Sequence, residues 1–475
     1  MVKQVFKIDK KAVKERKARD KAEKERITAL HDQYANEGSA LYEQGKFSEA
    51  IEQFQKALTY IPDSAPSIAL VAACAMECED YILAQKLFQK AMELDPNHST
   101  VLSNCAKFWD AQGYNDLAEK FYSAALVKKP NSKVLQQNYA RILVSNGSLG
   151  VGWDRFEIRH ELAHELNQRL TRARPRFFPQ PQWDGSHLIG KKLIVWGEQG
   201  VGDEILFGTM LKDLEKFGGQ IVVETDPRLV PLFQRSLPSF KIVPRPYVPA
   251  EEGSEHFDCQ IAFMSLARHL RRNISDFPTE CHFLKPAPEA VQKWQTRFDA
   301  ISDRPKIGLS WRSIHLEYYR NKSFAQIDEL GPIAAMDNVD FINMQYSYTN
   351  EELETFEKLF NRPLYNWTDI DLKDDFDEVA AYTSCLTANI SPGTTPVNIS
   401  GALSIPTHLF LNHQNADTKP NNLLTLGQNR HMWLPSVKLH HRTTQGQNYD
   451  WTQTFEEIAE DVQKNLLNTQ TLTLQ

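Results

Sequence analysis

The chain has 475 residues, 41% of them hydrophobic and 10% aromatic, enough for two or three domains with buried cores. A net charge of −7 argues against a general nucleic-acid binder, and no apolar run approaches the ~20 residues of a membrane span. The start, MVKQVFKIDKK, lacks the apolar centre of a signal peptide, and the six cysteines form no C-x-x-C pair, so the expected setting is a reducing cytoplasm.

In chain order, residues 1–30 read as a charged helical arm. Residues 1–26 carry eleven Lys/Arg and five Asp/Glu, with opposite charges three or four apart, which supports an isolated helix. The arm is either simply solvated or a partner-binding helix. It has too few apolar residues for strong membrane affinity.

Pro62, Pro96 and Pro130 then recur every 34 residues. Before each stands an Ala/aromatic/Ala set: Ala50, Phe54, Ala57; Ala84, Phe88, Ala91; Ala118, Tyr122, Ala125. Small residues also occupy the preceding helix at Gly38, Ala72, Ala106 and Ala140. Small residues let two helices approach, the aromatic fills the gap, and the proline stops the second helix. This resembles the tetratricopeptide repeat, with three units and a further helix filling residues 31–146. Such a stack has a concave surface suited to a peptide or protein. The bland alternative is a spacer or an element of homo-oligomer assembly.

Residues 147–189 read as a capping helix and linker. Within them, HELAH at 160–164 matches the H-E-x-x-H pattern, for which Asp184 or Glu198 is a conceivable third ligand. The zinc reading is rejected because the segment is charged and offers no second helix to carry that ligand. The expectation is an exposed cap with incidental histidines.

From 190 the pattern changes to alternating strands and helices, predicting two doubly wound halves at 190–285 and 304–475 with a cleft between facing strand ends. The strand KKLIVW runs into GEQGVGDEILFG, a glycine turn opening a helix. Gly200 and Gly202 leave room for substrate near the backbone. The turn is neither a Walker A loop nor a dinucleotide fingerprint, because Asp203 and Glu204 follow the last glycine and Ile205 stands where a third would be. Asp203 is either a helix cap or a general base at the cleft mouth. In the second half, SPGTTPVN at 391–398 offers Gly393, Thr394 and Thr395 to phosphate at a helix N-terminus. Arg312, Arg320 and Lys322 follow the strand KIGLSW as candidate diphosphate clamps, or as ordinary solvated charge. Gln345 ends a strand at the same cleft, where it could touch the nucleoside.

In their order, these pieces resemble bacterial tetratricopeptide-repeat glycosyltransferases related to the heptosyltransferases. The resemblance covers about 31–465 and adds WDG, IGLSWRS, RNKS, FINMQY and DDFDEVAAYTSCLTANISPGTTPVNISGALSIPTHLFL. It implies an α + α/β chain: a repeat α-solenoid followed by a two-Rossmann GT-B domain. It also implies an inverting, metal-independent transfer from a nucleotide-sugar donor, with Asp203 as base and Glu198 in reserve, no cofactor, and a protein acceptor on the repeats. Relatives read Asp-Thr-(three residues)-His in the second-half turn. Here Gly393 and Asn398 stand in place of the Asp and the His, the latter within donor-binding reach but without charge. Two other functions stay open: a non-catalytic repeat scaffold with a degenerate transferase domain, and a transferase for a glycan or lipid-linked sugar.

Overall fold

The computed structural model describes residues 10–165, 178–245, 257–313, 323–413, 422–443 and 450–473. These divide into two compact units, one of residues 1–110 and 116–135, the other of 111–115 and 136–475.

The first unit is helical. Helix α1 (Lys10–Glu43) runs without a break from the charged arm into the repeats, held along its exposed stretch by pairs such as Arg16–Asp20 and Lys21–Glu25. It is followed by α2 (Phe47–Tyr60), α3 (Ala65–Glu77), α4 (Tyr81–Leu94), α5 (Ser99–Ala111) and α6 (Asn115–Lys128). The small and aromatic positions act as the repeat spacing requires: Ala50, Phe54, Ala57, Ala84, Phe88, Ala91, Ala118, Tyr122 and Ala125 are all buried. At Gly38 a Cβ would sit 2.7 Å from the Phe54 ring, so only glycine lets α1 meet α2 there. Helices α2 and α4 end two residues before Pro62 and Pro96.

In the second unit, α7 (Lys133–Ser145, from residue 136 on), α8 (Leu149–Phe156) and α9 (Ile158–Glu165) precede the sheets. The expected exposed cap is corrected here. Trp153 is buried against Trp433 and donates to the Arg271 carbonyl, while Leu162 and Ala163 of α9 are buried. The HELAH helix is therefore part of the α/β core's wall. The His164 side chain lies outside the described residues.

The first sheet runs β3–β2–β1–β4, from β1 (Lys192–Trp196), β2 (Gln220–Thr225), β3 (Lys241–Pro244) and β4 (Cys259–Ala262), all parallel. Helix α10 (Val201–Gly208) follows β1, and α11 (Val230–Ser236) follows β2. The helix opened by the glycine turn breaks after Gly208, where Phe283 and Phe233 close on the backbone, and a 3₁₀ turn follows at Leu211–Phe217. Helix α12 (Ala267–Leu270) and then α13 (Pro288–Asp299) lead to the second sheet.

That sheet has six parallel strands in the order β10–β9–β8–β5–β6–β7: β5 (Lys306–Leu309), β6 (Asp340–Asn343), β7 (Leu364–Tyr365), β8 (Ala388–Pro392), β9 (Thr407–His413) and β10 (Val437–Thr443). Counted from β5 this is the order 3-2-1-4-5-6 of a dinucleotide-type doubly wound sheet. Its helices are α14 (Gly331–Ala334), α15 (Asn350–Phe360), α16 (Phe376–Ser384), α17 (Thr395–Ala402) and α18 (Thr452–Thr473). Strand β10 and helix α18 were missed in the sequence.

One apolar core joins the two sheets. Phe207 and Met210 of the first half and Val379, Val397 and Ala402 of the second belong to a single buried cluster. Trp433 packs edge-on to both Phe207 and Phe277. The two halves are also tied by Arg235–Asp377 and Arg228–Asp374.

Candidate active site

Between the carboxyl ends of the two sheets lies a cavity of 480 Å³. Its first wall is the turn after β1: Gln199, Gly200, Val201, Gly202 and Asp203. Its second wall is the turn after β8: Gly393, Thr394, Thr395, Pro396 and Asn398. Ser313 and Tyr346, past the ends of β5 and β6, close one side; Arg228, Leu372, Lys373, Phe376 and Val379 line the rest. The strand order reverses between β1 and β4 and between β5 and β8, so both glycine turns sit at switch points, where open α/β sheets hold ligands.

The first turn is mounted on two buried ion pairs. Glu198 is 2% exposed, and both its oxygens accept from Arg159 at 2.9 Å; one also accepts from the Met264 N–H. Arg159 is 3% exposed and further holds Glu157 and Ser265. Burial opposes the charge on Glu157, but the Arg159 guanidinium outweighs it and holds that carboxyl at about 2. Glu204 receives Arg245 at 2.6 Å, the Thr225 hydroxyl at 2.6 Å and the Asp226 N–H at 2.8 Å. Burial pushes its pKa up, against the pull of Arg245. A Cβ at Gly197 would meet Glu204 Oε1 at 2.2 Å, so this glycine makes room for the buried acid.

The reserve role expected of Glu198 is thereby corrected: it is locked to Arg159 and does not line the cavity. Asp203 does line the cavity, half-buried in the first turn of α10. Gly200 and Gly202 line it as well, but Gly202 serves a second purpose. The Asn398 amide donates to the Gly202 carbonyl at 2.9 Å, and a Cβ at Gly202 would lie 2.9 Å from that same amide. The glycine allows α10 and α17 to touch, and Asn398 spends one donor on the contact.

The second turn rests on neutral groups. Ser310 donates to Ser391, which meets the Thr394 hydroxyl at 3.2 Å, and Asn389 donates to Ser400. Thr394 is buried and its hydroxyl reaches the Pro392 carbonyl, so it shapes the turn while lining the cavity. Thr394 caps α17 in extended conformation, with Thr395 and Pro396 in the first helical turn.

Two expected donor contacts are corrected. The Arg312 guanidinium is taken up by Glu352, at 2.7 Å from each of two nitrogens, and by the Ser347 carbonyl. Gln345 is fully buried; its oxygen accepts from the Trp311 and Arg312 N–H groups, and its amide donates to the Arg312 carbonyl. Neither lines the cavity. Arg320 and Lys322 lie outside the described residues. Among the described residues, the cations that line it are Arg228 and Lys373, which were not singled out in the sequence. Arg228 stands just past the carboxyl end of β2, a position that could have flagged it. Lys373 sits inside the acidic stretch DLKDD, where nothing local distinguishes it.

Residues 31–64 match the family model described as Tetratricopeptide repeat. Protein FlbA of Caulobacter vibrioides is 29% identical over 421 residues, which cover 85% of this chain and 68% of that protein. Two solved structures align with 60% and 59% of the chain. One is a glycosyl transferase family 9 protein from Veillonella parvula (TM-score 0.42, 10% identity, 100% of that chain covered). The other is the E. coli ADP-heptose lps heptosyltransferase II (TM-score 0.40, 12% identity, 99% covered). The chain thus combines tetratricopeptide-type helices with a two-sheet Rossmann-like unit. Among the described residues no helix is long and apolar enough to cross a membrane.

Proposed function

We propose that this protein is an inverting, metal-independent glycosyltransferase that moves a sugar from a nucleotide-sugar donor to an acceptor, a protein presented by the repeats. The observation that carries the reading is the cavity itself: Asp203 on one wall faces the N-terminus of α17 on the other, each at a strand switch point. Asp203 takes the proton of the acceptor hydroxyl as its oxygen attacks the anomeric carbon, in one displacement. The leaving diphosphate needs donors and positive charge. The N–H groups of Thr395 and its neighbours supply the first, helped by the helix dipole, and Lys373 supplies the second, beside Arg228, whose guanidinium is already paired with Asp226 and Asp374. The residues supporting the chemistry need neither a cofactor nor a metal.

The test is calorimetry with UDP, GDP, ADP, dTDP and CMP on the wild type and on Lys373→Ala, an exposed position. Selective binding of one nucleotide, several-fold weaker in the variant, supports the reading and identifies the donors to assay for turnover. Absence of binding by every nucleotide overturns it and leaves the repeat scaffold with a degenerate domain.

A further inference from the structure

A second cluster of chemistry-bearing residues lies away from the cavity and shares no residue with it. His408 is the second residue of β9 and His440 the fourth of β10. The two strands are parallel neighbours, and His440 is the register partner of Phe410. His408 stands two residues from Phe410, so all three project from the same face. That face is covered by α18 and the residue before it: the rings of Trp451 and, within α18, Phe455 pack on Phe410. Asp461 reaches in from the same helix. His408 Nδ1 and His440 Nε2 are 3.0 Å apart, and His440 Nε2 is 3.7 Å from Asp461 Oδ2. The three atoms all fall within 4.8 Å of one another.

We propose that His408, His440 and Asp461 bind one divalent transition-metal ion of the zinc class, which staples the edge strands β9 and β10 to the C-terminal helix. Ligand bonds of ~2.0–2.1 Å in a tetrahedron place neighbouring donor atoms ~3.3 Å apart. The two measured separations bracket that edge, so small rotations of the side chains suffice. Two imidazoles and one carboxylate suit zinc far better than magnesium or calcium, which prefer all-oxygen shells. Both rings are buried, and a neutral imidazole offers one of its two ring nitrogens as a lone-pair donor. A hydrogen bond between the two rings uses only one proton and leaves the carboxylate to another partner. That partner is Lys438, whose ammonium contacts Asp461 Oδ2. Lys438 is 58% exposed and can withdraw to solvent when a dication takes its place, and the 25% exposure of Asp461 opens the entry path and leaves room for water as the fourth ligand.

The ion's place is structural. His408 lies near the amino end of β9, while the cavity lies at the carboxyl ends of the strands. This site is separate from the HELAH segment, so metal binding there is a distinct outcome.

The experiment uses the untagged full chain, treated with chelator and dialysed, then titrated with zinc chloride alone. Expected results are one bound equivalent by elemental analysis and calorimetry, and a rise in Tm. With cobalt in place of zinc, the visible absorption of a tetrahedral ion is expected. His440→Gln and Asp461→Asn should each weaken binding by more than ~10-fold, the scale at which even the outer partners of a ligand matter. Asp461 is partly exposed, so Asp461→Asn keeps the test valid if His440→Gln does not fold. No bound zinc in the wild type overturns the proposal. So does one equivalent retained with unchanged affinity in Asp461→Asn, which would point to other histidines.

Discussion

The two glycine turns that face each other across the cavity are built on opposite electrostatic principles. The turn after β1 carries three acids within seven residues, and two of them are buried under guanidinium groups, Glu198 under Arg159 and Glu204 under Arg245. The turn after β8 carries no charge and rests on Ser310, Ser391, Asn389 and Ser400. A buried carboxylate without a partner is costly, so the first turn can hold acids only where arginines from elsewhere meet them. Asp203 is the acid of this turn that lines the cavity. The second turn, being neutral, leaves the N–H groups at the start of α17 unopposed by any charge on the turn itself.

The charged mount is where the largest effect is expected. Arg159→Ala strands Glu198 in the interior and should lower stability by about 3–5 kcal/mol, read by denaturant unfolding. A loss below about 1 kcal/mol would mean that the first turn does not depend on its ion pair. The double change Arg159→Met, Glu198→Leu should recover part of that loss, the remainder being the guanidinium that Glu157 and Ser265 also lose. At the cavity itself, Asp203→Asn should reduce turnover by ~10²–10⁴-fold while leaving Tm and nucleotide affinity nearly unchanged. Equal loss of nucleotide binding would show that Asp203 shapes the site instead of acting as base.

Gly202→Ala pushes a methyl group into the Asn398 amide and should cost about 1–3 kcal/mol, with weaker coupling between the halves. The neutral mount has its own signature. The α17 helix packs through Gly401 on Leu434, whose N–H donates to His431 Nδ1. Burial, then the nearby Arg430 charge, lowers the His431 pKa to about 3. A folded pKa below the unfolded value of ~6.5 means that the unfolded chain binds the extra proton first. The stabilisation is therefore complete above pH ~6.5 and is lost as pH falls towards the folded value, by at most ~1.4 kcal/mol per pH unit. His431→Asn, which keeps an acceptor for Leu434, should flatten that part of the acid-side stability profile. The smallest effect belongs to Gly393→Asp. A Cβ there meets only Leu411, at an ordinary 3.6 Å, so the change should stay within about 0.5 kcal/mol by thermal unfolding. The aspartate of the resembling family thus fits this turn, and comparing turnover before and after shows what its absence costs.

The repeat helices, the first sheet and the second sheet up to β9 were legible because their signals are local. A 34-residue period of small and aromatic residues, or a strand followed by a glycine turn and a helix, is set by backbone sterics and nearest neighbours. The facing turns were legible for the same reason, as was the presence of Asp203, Thr394 and Thr395 on them. The segment containing HELAH was misjudged because its buried groups are matched far along the chain: Arg159 of α9 meets Glu198 39 residues later, and Trp153 of the preceding α8 meets Trp433. Arg312 and Gln345 were expected to bind donor because they follow strand ends, yet Glu352 and backbone groups of the neighbouring loop claim them.

What the sequence determined by itself is the order of elements, the repeat, the two switch-point turns and the residue types they carry. Only the tertiary structure decided which charged groups support the fold and which line the cavity. Pairing energies in a low-dielectric interior depend on distances between segments remote in sequence, as Arg228 and Asp374 show at 146 residues apart, and no local pattern encodes those distances.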